Sequence, residues 1–484
     1  MGTIKVNKIE KRSGSTLTLG GPCTAVTLAC GATQSGFGRA GSVNWCSTIY
    51  TNSPGTVTAE SGKGFFLNTT SGSITINLPS SPSVGDIVAI KDYANTFDDN
   101  AVTVGRGGSK IAGLCLDATL STEGESITLI YADNTRGWLN VNTDSTVRGN
   151  AFVEATGGTI LTCGNFKTHI FTGDGTFQVT NAGQPCGSTK INYFVVAGGG
   201  GGGGSQPTAG GQGGGGAGGF RLSNGPVNSI PAPTMSPLVA PNSPTPGDLT
   251  ASVGSFSIAV GGGGTAGGTG SPSGHTPGGV STFSTITSAG GGKGGAGACT
   301  PTNMGDTGGS GGGGNYSGPY PKTGGAGNTP PVAPPQGNPG GPVTGSSDPP
   351  GAYGGSGGGG AGAAGCGGNT GPQGFAGGIG SFLADAVIGP TAPSYGTPGP
   401  VSSVRYFAGG GGGGNRIPNG PSDPTASPAG GGGSGAKAPY PNPGATPFQG
   451  AAGTINTGGG GGGGNYHNGG AGGSGIVILR YKFQ

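Results

Sequence analysis

The side chains able to do chemistry in this sequence are few and scattered. There are three histidines, His169, His275 and His467, and eight cysteines, Cys23, Cys30, Cys46, Cys115, Cys163, Cys186, Cys299 and Cys366. General acid–base catalysis needs a titrating group held beside its partner, and glycoside hydrolysis needs two acids facing one bond. From residue 198 to residue 475 there are five Asp, six Lys or Arg, and no Glu. Such chemistry has little to work with there, so no enzymatic activity and no cofactor are expected. No cysteines form a CxxC pair, which argues against a zinc site. Buried free thiols are the simplest reading for most of them, and Cys163 with Cys186 is the first pair to consider for a disulfide formed outside the cell. Asp86, Asp92, Asp98 and Asp99 have no EF-hand register and read as solvated loop acids, so no metal is expected.

What remains is the contact chemistry of aromatic rings. Pro-rich segments at 224–248, 328–350, 389–404, 416–429 and 437–448 are tethered at both ends. Within or beside them stand Tyr316, Tyr320, Tyr353, Tyr395, Tyr406, Phe407, Tyr440, Phe448 and Tyr466. Loops rich in Tyr, Ser, Gly and Asn on a rigid scaffold are how antibody combining sites bind, and ring faces with hydroxyls also suit sugars. These nine residues are the candidate receptor contacts; the alternative is that several of them cap the scaffold.

The scaffold must come from glycine. The chain holds 122 Gly and 39 Pro in 484 residues, and charged residues are only 8%. Disordered chains are usually rich in charge, so composition alone does not settle the matter. Gly359, Gly362, Gly365, Gly368, Gly371, Gly374, Gly377 and Gly380 fall on every third residue. A polyproline II helix has three residues per turn and no internal hydrogen bonds, so its N–H and C=O groups are free to pair sideways. Glycine on the inner edge then lets backbones approach closely. The segment 359–380 is expected to form one such helix, roughly 65–70 Å long. A collagen triple helix is the rival, but the strict triplet does not persist. GGGGNY at 311–316 recurs at 461–466, with GGGGN at 411–415 between them, as expected of a folded unit.

The preceding part reads as β. Thr3–Ile9, Ser15–Leu19 and Thr24–Ala29 alternate apolar and polar residues, the period of a half-buried strand. They read as an attachment or trimerisation segment at 1–50, or as an arm ordered only on docking. Residues 51–148 carry closely spaced apolar runs with turn signals between them, the pattern of a small β-sandwich, with Trp138 as a core anchor. Residues 149–167 read as a linker or a further strand pair, and 168–484 as the glycine-rich part. The fold class is therefore an all-β N-terminal part, short β segments plus a small sandwich, followed by a polyproline II bundle with little or no α-helix. No signal peptide or membrane-length apolar stretch is seen, so the protein is expected to be soluble and made in a cytoplasm without membrane insertion. A net charge of +3 gives no argument for nucleic acid.

The motifs FTGDGTFQV at 171–179, FVVAGGGGGGG at 194–204 and GGSGIVILRY at 472–481 resemble the ends of glycine-rich domains found in bacteriophage fibre and adhesin proteins. The interior is similar to the polyproline II sandwich of the distal tail-fibre adhesins of T-even-type phages. GTIKVNKI at 2–9 and LPSSPSVGDIVAIKDY at 78–93 look like fibre proteins of marine phages, including those of cyanobacteria. The resemblance implies a virion location and a host-surface receptor contacted by variable loops. Because an attachment-like N-terminus shares the chain, it also implies a self-contained fibre, a homotrimer docked on other virion proteins. A head fibre or capsid decoration protein without receptor binding is the alternative.

Overall fold

The apolar runs between residues 43 and 142 become strands that wind between two facing sheets, while Thr3–Ile9, Ser15–Leu19 and Thr24–Ala29 lie outside the described residues. In the computed structural model, the described residues are 43–142, 152–183, 187–204, 210–223, 248–269, 274–297, 304–315, 323–344, 354–368, 373–415, 417–418, 428–436, 439–440 and 449–483. The chain divides into two units, Met1–Gly149 and Asn150–Gln484. It is nearly all β, and the α-helix described is the four-residue Asp385–Ile388.

In the first unit, β1 (Asn44–Tyr50), β3 (Lys63–Leu67) and β5 (Ile87–Asp92) run parallel in one sheet. The strands between them, β2 (Thr56–Thr58), β4 (Ile74–Asn77) and β6 (Val102–Gly105), run parallel in the other. A parallel pair needs a crossover, and here each sheet supplies it for its neighbour. The result is a short β-solenoid. Antiparallel strands then close it: β7 (Ala118–Leu120) on β6, β8 (Ser126–Asp133) on β5, and β9 (Gly137–Asn140) on β8. The expected two-layer core is present, with Phe65, Leu67, Ile76, Ile90, Val104 and Leu129 buried between the sheets. Trp138 is fully buried and meets Tyr131 edge-on at 5.5 Å. The winding departs from an ordinary sandwich, because alternation fixes which face a residue takes and not which way its neighbour runs.

Asp92 is not a solvated loop acid. Its carboxylate is 1% exposed and accepts backbone N–H bonds from Thr96, Phe97 and Gly124 at 3.3, 3.2 and 3.0 Å, which ties two loops together. Asp86 accepts from the Ser83 amide at 2.8 Å. Cys115 and Cys366 are exposed free thiols, and Cys46 and Cys163 are half-buried free thiols, against the expectation of buried ones. Cys186, and with it the considered pair, lies outside the described residues.

Of the two readings of 149–167, strands rather than a linker are found, although the two strands do not pair with each other. β10 (Val153–Thr156) and β11 (Thr159–Cys163) edge separate sheets. β11 pairs with β12 (Phe166–Phe171), and β12 with the last strand, β24 (Ile476–Lys482). β24 in turn pairs with β14 (Lys190–Val196). The two apolar runs are therefore neighbours at the centre of one sheet. They are buried on both faces, which is why they read as continuous rather than alternating. Val195, Val477 and Leu479 face the sheet built on β10 and β13 (Gly175–Ala182). Phe194, Val196, Ile476 and Ile478 face Phe382, Leu383, Ile388, Tyr406 and Phe407.

Beyond these strands the glycine runs begin, and their hydrogen bonds have a period of three. Gly198 and Gly201 donate to Gly279 and Thr276 (3.0 and 3.1 Å), Gly199 and Gly202 to Gly473 and Gly470 (both 2.9 Å), and Gly200 and Gly203 to Gly216 and Gly213 (2.8 and 3.0 Å). The carbonyls repeat the rule with three other runs. Gly198 and Gly201 accept from Gly291 and Gly294, Gly199 and Gly202 from Gly264 and Gly267, and Gly200 and Gly203 from Gly461 and Gly464. One run thus donates to three neighbours and accepts from three more, with no bond inside itself. That is a threefold, polyproline II-type helix packed among six others. None of Gly198–Gly204 has a left-handed φ. Glycine is required here for proximity: a Cβ at any of them would lie under 3.0 Å from a neighbouring backbone.

The segment 359–380 is not one long helix. Gly360 donates to Ala363, Gly362 to Ile379 and Cys366 to Ala376 (2.9, 2.9 and 3.0 Å). The chain therefore reverses at 361–363 and returns again from 373, and the period-three glycines are shared among three packed runs. A single helix of that length would outrun its neighbours and leave its amides unpaired; a run such as 197–204 spans only about 25 Å at ~3.1 Å per residue. Gly359, Gly362, Gly365, Gly368, Gly374, Gly377 and Gly380 each leave no room for a Cβ, while Gly371 lies outside the described residues.

Candidate functional site

Each described run has one end toward the sheets and one end away from them. At the sheet end, Ala197 donates to Gly219, Gly218 to Gly458, Ala361 to Ala408 and Gly475 to Gly261, next to the apolar core. At the other end, Gly297 donates to Gly204, Gln212 to Gly464, Gly355 to Gly414, Gly314 to Gly341 and Asn415 to Ala436. The chain leaves the bundle at this second end after Gly204, Gly297, Asn315, Thr344, Gly368, Asn415, Ala436 and Asn465.

This polarity sorts the Pro-rich segments. Those at 416–429 and 437–448 depart from the far end, whereas 224–248 and 389–404 depart from the sheet end. The segment 328–350 is divided, because Gln336–Thr344 is itself a run: Asn338 donates to Gly360 and Gly340 to Gly325. The 389–404 segment is fixed to the core by Arg405, which donates to the Tyr395 and Gly396 carbonyls at 2.7 and 3.0 Å.

The nine aromatic candidates divide the same way. Tyr406 and Phe407 are buried core residues on β21 (Val404–Phe407), and Tyr395 packs half-buried against the same cluster. Tyr406 and Phe407 are corrected from receptor contacts to core, and Tyr395 covers that core from outside; burying large rings under the bundle is the hydrophobic driving force that glycine runs lack. Tyr466 directly follows a far-end run, half-buried with a φ of +58°. Tyr440 lies in a two-residue strand, Pro439–Tyr440, paired in parallel with Ile417–Pro418, so the two longest far-end segments meet. Tyr316, Tyr320, Tyr353 and Phe448 lie outside the described residues.

The GGGGN repeats supply a second far-end feature, apart from the rings. Asn315, Asn415 and Asn465 are all buried at the far end. Asn315 Nδ2 donates to the Ala296 carbonyl at 2.7 Å, Asn465 Nδ2 donates to the Asn415 carbonyl, and Asn415 Oδ1 accepts from the Gly374 amide. Each amide satisfies backbone groups where the threefold pairing stops. The recurrence of Asn after four glycines was the available signal.

The chemistry-bearing groups of the second unit are structural. His169 is fully buried between Phe177 and Tyr481. Its Nδ1 donates to the Gly157 carbonyl at 2.7 Å, leaving Nε2 to accept from the Tyr481 hydroxyl at 3.1 Å. Burial holds its pKa below the ordinary 6.5, with Lys167 adding to the effect and the Gly157 bond opposing it. Burial likewise pushes Tyr481 up to about 12. At His169 the unfolded chain takes up a proton that the folded one refuses, so this contribution to stability is present above about pH 6.5 and is lost as pH falls, at up to about 1.4 kcal/mol per pH unit. Urea unfolding at about pH 7.5 and about pH 5 should show a lower midpoint in acid, and His169→Gln should flatten that difference.

Arg480 is the other buried group. Its guanidinium lies 3.7 Å from the Phe166 ring centroid, and among the described residues its Nε and Nη1 have no hydrogen-bond partner. Burial lowers its pKa from the usual value, opposed by Cys163. Replacing a buried, poorly paired charge by an apolar side chain is often neutral or stabilising by about 1–4 kcal/mol. Arg480→Met is thus expected to keep or raise the urea midpoint; a loss above about 1 kcal/mol would show that the charge has a stabilising partner.

Residues 172–482, more than half of the chain, match a family described as a glycine-rich domain. The chain belongs to that family. The matched span runs from just after β12 to the end of β24, so the glycine-rich domain takes in the bundle together with the central sheet that anchors it. No curated protein matches the chain.

Proposed function

We propose that this chain is a non-enzymatic virion fibre protein of a bacteriophage, a tail fibre or adhesin whose glycine-rich domain displays loops to a receptor on the host cell surface. The observation that supports it is the polarity of the bundle. One end is locked into sheets and an apolar core, and the other gives rise to a set of short and long Pro-rich connections. A scaffold that holds many segment ends in fixed positions suits recognition, since a rigid frame lowers the entropy lost when loops bind. Loops rich in tyrosine, glycine, serine and asparagine fit a glycan or the exposed part of an outer-membrane protein. In this reading the N-terminal part docks on other virion proteins, and the fibre is a homotrimer exposed on the particle.

The test is competition by the purified full chain for adsorption of the phage that carries it. A dose-dependent fall in adsorption on a susceptible host is the expected result. Folded protein that neither binds those cells nor slows adsorption overturns the adhesin reading and leaves a structural appendage, a head fibre or capsid decoration protein, in its place.

A further inference from the structure

The two outer faces of the first unit differ in kind. Strand register aligns Thr56, Thr75, Thr103 and Thr119 in one row across β2, β4, β6 and β7, and all four are exposed or half-buried. A row of hydroxyls is at home in water. The outer face of the other sheet is apolar. Val88, Leu129 and Trp138 point into the core, so alternation turns Ile87, Ile130 and Leu139 outward, and register sets these three side by side. Ile49 and Phe66 pair on the same side. Trp45 joins them: its ring lies over Gly64, where a Cβ would come within 2.6 Å of it, and stacks on Phe66 at 4.8 Å. Trp45 and Ile49 are 41% and 39% exposed, and the other four are half-buried. Among the described residues, none of the six joins an apolar core.

Charge and size say what fits this face. Within the strands its one charged residue is Lys91, whose Nζ donates to the Gly124 carbonyl. In a symmetric contact a face meets its own image, so free charges on it would repel. Here there are none to do so, and a strongly acidic or basic partner finds nothing to recognise. Five strands about 4.8 Å apart, each about 20 Å long, present roughly 400–500 Å². Two such faces together reach the roughly 1,000 Å² that a specific interface needs, and contacts between identical chains are the more apolar class. We propose that copies of this chain join through this face, each burying Trp45, Ile49 and Phe66 against another. The inference rests on the fibre reading only for the number of copies, three.

Sedimentation of the full chain over a range of concentrations tests this, with acrylamide quenching as a second measurement. The chain has two tryptophans and Trp138 is fully buried, so quenching reports Trp45. The expected result is an oligomer with Trp45 shielded. Ile130→Lys places an unpaired charge in the contact and should weaken association about a hundredfold or more. It should also open Trp45 to the quencher, with Trp138 still shielded as the sign of a folded chain. Trp45→Lys, on the edge strand, should dissociate the oligomer in the same way. Thr103→Lys carries the same charge on the hydroxyl face and should assemble as the parent does. A monomeric parent with Trp45 open overturns the proposal, and so does an oligomer that both face variants leave intact. A monomer with Trp45 shielded also overturns it, in favour of another part of the same chain lying on the face. If that monomer still competes for adsorption, this inference falls and the host-binding reading stands. A dimer that both face variants dissociate upholds the face and removes the homotrimer from the fibre reading.

Discussion

Gly215→Ala is expected to abolish folding of the glycine-rich domain, whereas Gly262→Ala is expected to be harmless. Gly215 lies mid-way along the run 210–219. It donates to Gly461 at 2.8 Å and accepts from Gly411 at 2.9 Å. Its remaining side faces the run 198–204, and a Cβ there would overlap the carbonyls of Gly200 and Gly201. Overpacking in an ordinary core costs about 1–3 kcal/mol because side chains can turn aside. Here the obstacle is backbone, already bonded to three further runs, and moving it breaks their pairing. The cost should exceed that range. Gly262 lies on the bundle surface with nothing within 4 Å of a Cβ and no left-handed φ. Alanine there restricts the unfolded chain and should raise stability by about 0.4–1 kcal/mol. Urea midpoints and resistance to protease for the two variants check this. If both are tolerated equally, the backbone contacts do not hold the domain together.

The contrast shows how far the sequence could be read. The apolar runs at 191–196 and 476–481 and the glycine blocks beside them were legible as strands entering a bundle, because the strand signal and the glycine signal are both local. The bundle's internal register was not. A row of glycines every third residue is equally compatible with one long helix and with three short ones, and the choice depends on where the neighbouring runs stop. Tyr406 and Phe407 were misplaced for a related reason. They sit beside a Pro-rich segment in sequence, but they also precede the run that starts at Ala408, and an aromatic pair at a sheet-to-bundle junction has an apolar core to fill. Of the candidate site, what could be read was that loops alternate with rigid runs. Which end each loop leaves from is set by the up-and-down path of the runs, a non-local property. In the first unit, likewise, alternation in Ile74–Asn77 announced a half-buried strand but carried no information on the direction of its neighbours.

Ending the chain after Gly475 is expected to leave the second unit unfolded and the first unit intact. The deleted strand is only seven residues, Ile476–Lys482, but it is central. It bonds to β12 on one side, from Val477–Phe171 to Lys482–Phe166, and to β14 on the other, from Ile476–Val196 to Tyr481–Ile191. Its side chains enter both apolar clusters, Ile476 and Ile478 one and Val477, Leu479 and Tyr481 the other. Burying side chains of this size is worth about 1.5–3 kcal/mol each, so the loss approaches or exceeds the 5–15 kcal/mol by which whole domains are stable. Without it, the edges of β12 and β14 are left unpaired inside the unit, and the Tyr481 hydroxyl that His169 and Ala155 bind is gone. The glycine runs cannot compensate. Their pairing depends on being held in register at the sheet end, and ordering glycine costs about 0.5–1 kcal/mol more per residue than ordering alanine. Limited proteolysis should therefore digest the truncated chain from about residue 150 onward while leaving a resistant fragment that contains 43–142. A truncated chain whose bundle resisted protease like the parent would show instead that the glycine runs assemble without their sheet.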